Sequence, residues 1–249
     1  MTPTRTTHPK GVNNPRGLKD IPFALPEVTK EQRAHALKIA NALAKHYPDA
    51  HCELTFTNPH ELLIATILSA QSTDAGVNKA TPGLFKAFKN PAAYAKSTPE
   101  KIQPYIKTIG LFRNKSKSIH ESMTRIVEHY DGNVPNTMED LITLRGVARK
   151  TANVVLGNCF DVQDGITVDT HVQRLVWRWG ILDEPKANTT LIEKTLMALF
   201  PRSRWSTLGH SMVIHGRYNC TARPNCTHEH QICTKFGVNC DKPYNKSKL

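Results

Sequence analysis

Between Leu141 and Cys159 two helical patterns run into one another across Gly146, Val147 and Ala148, and so tight a reversal leaves few folds open to the chain. Gly146 is the one residue of the turn that takes a positive φ without a steric penalty. After it, Ala152, Val155, Leu156 and Cys159 recur at i, i+3, i+4 and i+7, the spacing of a stripe facing a core. Lys150 falls nearly opposite that stripe and so points outward. The segment is a helix-hairpin-helix. The backbone N–H groups of its turn, formed by Arg145, Gly146, Val147 and Ala148, and the start of its second helix suit a phosphate. Asp169 stands just ahead of a further helical stripe, Val172, Leu175, Val176 and Trp179, and so begins a helix.

Taken singly, Lys150 is a solvated charge and Asp169 an N-cap. Together they place an amine and a carboxylate on either side of a phosphate-binding turn. The chain has 33 basic against 21 acidic residues and a net charge of +12, which selects a polyanionic partner. That combination fits chemistry on a nucleic-acid sugar. The longest apolar run, Leu62 to Leu68, contains Thr66 and is far too short to span a bilayer. The N-terminus carries no apolar signal region. The expectation is a soluble intracellular protein of 249 residues, enough for one large domain or two small ones.

In chain order, residues 1–27 show no periodicity and read as a flexible basic arm. Thr29 and Gln32 form a capping box ahead of an apolar face of Ala36, Ala40, Leu43, Ala44 and Tyr47. Asn58-Pro59 opens a helix that is apolar on nearly all sides through Leu68, hence a rod through a core, with Gln71 at its end. Asp74 is read as the cap of the next helix, which Thr81-Pro82-Gly83 should kink or split. Short helices follow Asn90-Pro91 and Thr98-Pro99, and Ile109 to Asn114 reads as a loop. A long helix runs from about Lys115 to Tyr130 and ends at Gly132. Thr137 and Asp140 open the first hairpin helix. The last helices are read to Trp179, from Asn188 to Leu199, and from Arg204 to about His215. No strand is evident, so the fold class is all-α.

Six cysteines are present, and Cys220, Cys226, Cys233 and Cys240 crowd into the last 30 residues as C-x5-C-x6-C-x6-C. In an intracellular chain such clustering favours a metal over disulfides. Cys52 and Cys159 lie on apolar patterns and read as core.

The hairpin and the Val168-Asp169-Thr170-His171 run resemble those of the endonuclease III family of DNA glycosylases. Arg145 stands where that family has proline, and Ala148 where it has a second glycine. The likeness continues through Leu68-Ser-Ala-Gln71-Ser-Thr-Asp74, Val77-Asn-Lys-Ala-Thr81, Tyr105 to Leu111 and His215-Gly-Arg-Tyr-Asn-Cys220. The resemblance implies two lobes with a cleft between them. One is a six-helix lobe over 52–162 that carries the hairpin; the other joins 28–51 to 163–249.

It further implies that Lys150 is the nucleophile and Asp169 its carboxylate partner, facing each other across the cleft. Gln71 would enter the gap left by a flipped nucleotide and Leu111 would wedge the duplex, while Phe112 packs. Arg145, Gly146, Val147, Ala148, Thr170 and His171 would contact DNA. Cys220, Cys226, Cys233 and Cys240 would hold a [4Fe-4S] cluster, although every interval differs from the family's C-x6-C-x2-C-x5-C. Structural zinc, with His228 or His230 as substitute ligands, is the alternative. The implied protein is a monomer of the cytoplasm or nucleoid that removes oxidised pyrimidines from double-stranded DNA and nicks the abasic site. The competing readings are a non-catalytic lesion-sensing module, and a glycosylase of the same fold for a different base.

Overall fold

The computed structural model of the chain describes residues 21–185, 187–223 and 231–240, and among them all regular structure is helical. None of these helices is long and apolar enough to cross a membrane. Two compact units emerge, one of Cys52–Val162 and one in which the residues up to His51 join those from Gln163 onward.

Helix α1 (Lys30–His46) belongs to the second unit. Its capping box forms as read: the Thr29 hydroxyl accepts from the Gln32 N–H at 3.1 Å and the Gln32 side chain accepts from the Thr29 N–H at 2.9 Å. Its buried face is Ala36, Ile39, Ala40 and Leu43, while Ala44 turns out to be exposed. Of the expected arm, residues 1–20 lie outside the described residues. The rest is not free: Ile21, Phe23, Leu25 and Val28 pack on the core of this unit, and the Lys194 ammonium sits 4.7 Å above the Phe23 ring. These residues lie ahead of α1 and outside any helix.

The first unit holds α2 (Pro59–Ser69), α3 (Asp74–Ala87), α4 (Pro91–Ala95), α5 (Pro99–Ile106), α6 (Phe112–His129), α7 (Met138–Leu141) and α8 (Arg149–Val155), the last continued by a π-helical turn over Leu156–Phe160. Short α4, α5 and α7 bring the count to seven rather than six. Helix α2 is the rod. Asn58 caps it with Pro59 at its first turn, and every residue from Leu62 to Leu68 is buried. Each of those leucines and isoleucines contributes about 1.5–3 kcal/mol of burial.

Three sequence readings needed correction here. Thr73, not Asp74, caps α3, its side chain accepting from the Gly76 N–H at 3.1 Å. Helix α3 is not split at Pro82, because Thr81 and Leu84 on either side of it are buried and Gly83 leaves room for Tyr105. Tertiary packing outweighs the one hydrogen bond that proline removes. Finally, α6 begins at Phe112, so half of the supposed loop from Ile109 to Asn114 is helix.

In the second unit, α9 (Thr170–Arg178), α10 (Thr189–Leu199), α11 (Trp205–Tyr218) and the short α12 (Gln231–Phe236) pack with α1 around Trp179 and Trp205, both fully buried. Helix α12 had no counterpart in the sequence reading.

Candidate active site and thiolate centre

At the hairpin, Gly146 has φ +79°, and a Cβ added there would lie 3.1 Å from Cβ and Oγ of Ser118. Glycine is required on both counts. Ala148, by contrast, has φ −102°, an extended conformation open to any residue, which is why alanine replaces the family's glycine there without strain. Val147 is buried and anchors the turn, its N–H donating to the Leu144 carbonyl at 3.2 Å. Lys150 is exposed in the first turn of α8, while Ala152 and Val155 behind it are buried.

Arg145 is not the free cation its sequence position suggests. Its guanidinium pairs with Glu121 of α6 at 2.5 Å, both side chains about half exposed, and its carbonyl accepts from the buried Ser122 hydroxyl at 2.9 Å. The hydrogen bond from Arg145 holds the Glu121 carboxyl below its ordinary range. Nothing in the local sequence marks this pair, since 121 and 145 are brought together only by packing of α6 on the hairpin.

Gln71 and Leu111 are both exposed, Leu111 at 59%, and both have left-handed backbone, φ +55° and +58°. Non-glycine residues there are held by their surroundings. Around Gln71 lies Lys115, only 6% exposed, whose Nζ donates to the carbonyls of Leu68 (2.9 Å) and Ala70 (2.6 Å) and to the Ser72 hydroxyl (3.1 Å). Burial lowers its pKa from the ordinary lysine value, and the three acceptors offset that desolvation. Sequence reasoning passed over Lys115 as a helix-start residue. A signal was available, for it lies four positions before Ile119 and eight before Met123, on the buried face of α6.

In the second unit Asp169 caps α9, its Oδ1 accepting from the N–H groups of His171 (2.8 Å) and Val172 (2.9 Å). The cap uses one carboxylate oxygen and leaves Oδ2 outside it. Thr170 is exposed, and His171 is half-buried, its Nδ1 accepting from Arg174 at 3.1 Å. The His171 Cβ lies so close to α11 that a Cβ on Gly216 would approach it to 2.7 Å. Glycine at 216 is therefore what lets α11 seat against the start of α9.

The same unit gathers Cys220, Cys233 and Cys240; Cys226, His228 and His230 lie outside the described residues. Ligand atoms of Cys220, Cys233 and His215 all fall within 4.8 Å of one another. Arg178, wholly buried, donates to Cys220 Sγ at 2.9 Å and to the Thr221 and Ala222 carbonyls. The neighbouring Cys233 and Cys240 thiols, with this guanidinium, hold the Cys220 pKa far below the thiol range. Buried His215 is engaged at both nitrogens, Nδ1 with the Tyr47 hydroxyl at 2.7 Å and Nε2 with Cys233 Sγ at 3.1 Å. Gly237 has no room for a Cβ, which would collide with Cys240 Sγ and the Cys233 carbonyl. Soft, crowded thiolates beside a buried cation fit a thiolate-bound metal centre.

The chain is similar to known DNA repair proteins. The model of the HhH-GPD superfamily of base excision DNA repair proteins matches residues 64–202. Endonuclease III of Synechocystis sp. is 47% identical over 200 residues, 80% of this chain and 89% of that protein. Endonuclease III of Escherichia coli (strain K12) is 40% identical over 195 residues, 78% and 91% of the two. A trapped endonuclease III–DNA covalent intermediate superposes with a TM-score of 0.79 at 39% identity, covering 88% of this chain and all of that one. A thermostable thymine-DNA glycosylase, TM-score 0.74 at 20% identity, shares the fold. The chain therefore belongs to the endonuclease III family, the bifunctional DNA glycosylases and AP lyases of base-excision repair within the helix-hairpin-helix superfamily.

Proposed function

We propose that this glycosylase excises oxidised pyrimidines from double-stranded DNA as a monomer, with Lys150 as nucleophile. The observation that carries the reading is an exposed amine one residue into the helix that follows the Gly146 turn, a helix whose N-terminus carries no side-chain cap. The turn N–H groups of Gly146 to Ala148 hold a backbone phosphate, and the target nucleotide leaves the stack, a step that costs a few kcal/mol and least at damaged pairs. Gln71 and Leu111 occupy the vacated space. Thr170 and His171, at the start of α9, lie on the same strand's backbone.

Lys150 attacks C1′ with its nitrogen lone pair, the C1′–N bond breaks, and the base departs with the bonding electrons and the proton that the attacking nitrogen gives up. The C1′–O4′ bond then opens, its electrons going to O4′, which takes a proton from water, and the nitrogen lone pair forms the iminium that makes the C2′ proton acidic. Loss of that proton to a base and of the 3′ phosphate with its C3′–O electrons nicks the strand; water then releases the lysine. The Asp169 Oδ2 stabilises positive charge at the sugar and relays protons while Oδ1 keeps the cap. The structure of a relative captured covalently on DNA supports a covalent route.

Cys220, Cys226, Cys233 and Cys240 would hold a [4Fe-4S] cluster. Bound there, it cross-links the C-terminal loop, and no step of excision passes through it. Borohydride reduction on duplex bearing an oxidised pyrimidine or an abasic site tests the mechanism. A trapped protein–DNA adduct is expected for the wild type and none for Lys150→Ala; undiminished trapping in the variant refutes it.

A further inference from the structure

Lys115 has no acidic partner among the described residues, yet its ammonium is buried at the end of α2. It is spent entirely on the carbonyls of Leu68 and Ala70 and the hydroxyl of Ser72. The two carbonyls belong to the last turn of a helix and the bend after it, where carbonyls lack intrahelical partners and the helix dipole favours a cation. They flank Gln71 on its N-terminal side, and Ser72 flanks it on the other. Lys115 sits in the first turn of α6, directly after the second loop, and its N–H makes the ordinary first bond of that helix to the carbonyl of the N-cap Leu111 at 3.0 Å. The two loops also meet directly, for a Cβ on Gly110 would come within 3.9 Å of the Gln71 carbonyl.

Lys115 thus stands between two exposed non-glycine residues that hold left-handed backbone, Gln71 and Leu111. Left-handed backbone is unfavourable by about 1–2 kcal/mol for such residues, so neither conformation persists without a restraint. An arginine or lysine merely placed for solubility would not be buried.

We propose that Lys115 is a positioning residue that clasps Gln71 and Leu111 into a single wedge, formed before DNA is met, so that gap filling requires no ordering of loops on binding. The proposal rests on the reading that these two side chains fill the space left by the flipped nucleotide. Its consequence is separable from stability. Without the clasp, the loop carbonyls turn to water, Gln71 relaxes to ordinary backbone, and the wedge is populated only part of the time.

The experiment uses the full chain and a non-cleavable tetrahydrofuran abasic duplex carrying 2-aminopurine opposite the site, whose fluorescence rises when that base is unstacked. Steady-state excision on an oxidised-pyrimidine duplex is measured alongside. Lys115→Met keeps the apolar stem and removes the donors. It is expected to lose most of the fluorescence rise at saturating protein and to lower kcat by about 100-fold, the scale of a misplaced group, with KM changed far less. Lys115→Arg should recover part of both. In a Gln71→Ala/Leu111→Ala background, Lys115→Met should add almost nothing. Full fluorescence and kcat in Lys115→Met, or a loss that adds undiminished to the double alanine variant, overturns the clasp. A double alanine variant that itself behaves as wild type instead overturns the gap-filling reading. Should Lys115→Met fail to fold, Ser72→Ala removes one acceptor and keeps the lysine: a smaller loss of the same kind supports the clasp, and none refutes it.

Discussion

Gly146→Ala tests whether the hairpin is the fixed structural element on which phosphate binding rests. Two effects add at this position. Alanine at φ +79° carries the left-handed penalty of about 1–2 kcal/mol. Its Cβ would also stand 3.1 Å from Cβ and Oγ of Ser118, tight enough that α6 and the turn must separate by a few tenths of an ångström. Together these should destabilise by about 1–3 kcal/mol, which for a chain of this size lowers Tm by roughly 2–10 °C. Ser118→Gly in the same chain removes the contact and leaves the φ penalty, so it should recover part of the Tm. Calorimetry gives the stability and equilibrium titration on undamaged duplex gives the binding, which should weaken because the turn N–H groups no longer converge. A Gly146→Ala protein with wild-type Tm and affinity would refute the reasoning, and full rescue by Ser118→Gly would show that contact alone decides.

The remaining predictions concern charge, catalysis and metal. Asp169→Asn retains an Oδ1 able to cap α9, so folding and DNA binding should persist while excision slows by about 10²–10⁴-fold; wild-type rates would reduce Asp169 to a cap. Because Glu121 compensates Arg145, Glu121→Gln should tighten binding to any duplex and steepen log affinity against log salt by up to one phosphate contact, whereas Arg145→Ala should flatten it by no more than that. Unchanged slopes in both variants would show that the pair stays closed on DNA. Protein purified without oxygen should be brown and contain iron, both lost in Cys233→Ser; a colourless wild type with stoichiometric zinc would overturn the cluster assignment.

What could be read directly from the chain was whatever depends on neighbours in sequence. The capping box at Thr29, the buried rod from Leu62 to Leu68, the stripe behind Lys150 and the cap at Asp169 are all local patterns, and each reappears in the structure. What escaped were polar groups whose partners are distant in sequence. Lys115 reaches carbonyls 45 and 47 positions away, and Arg178 reaches Cys220, 42 positions away. Periodicity treats such residues as interruptions of an apolar face. Physically they are the reverse, since a lysine or arginine is buried only where carbonyls or thiolates are waiting for it. A charged residue in register with a core stripe therefore marks a loop that needs holding. Lys115 does so beside Gln71, and Arg178 at the cysteine loop.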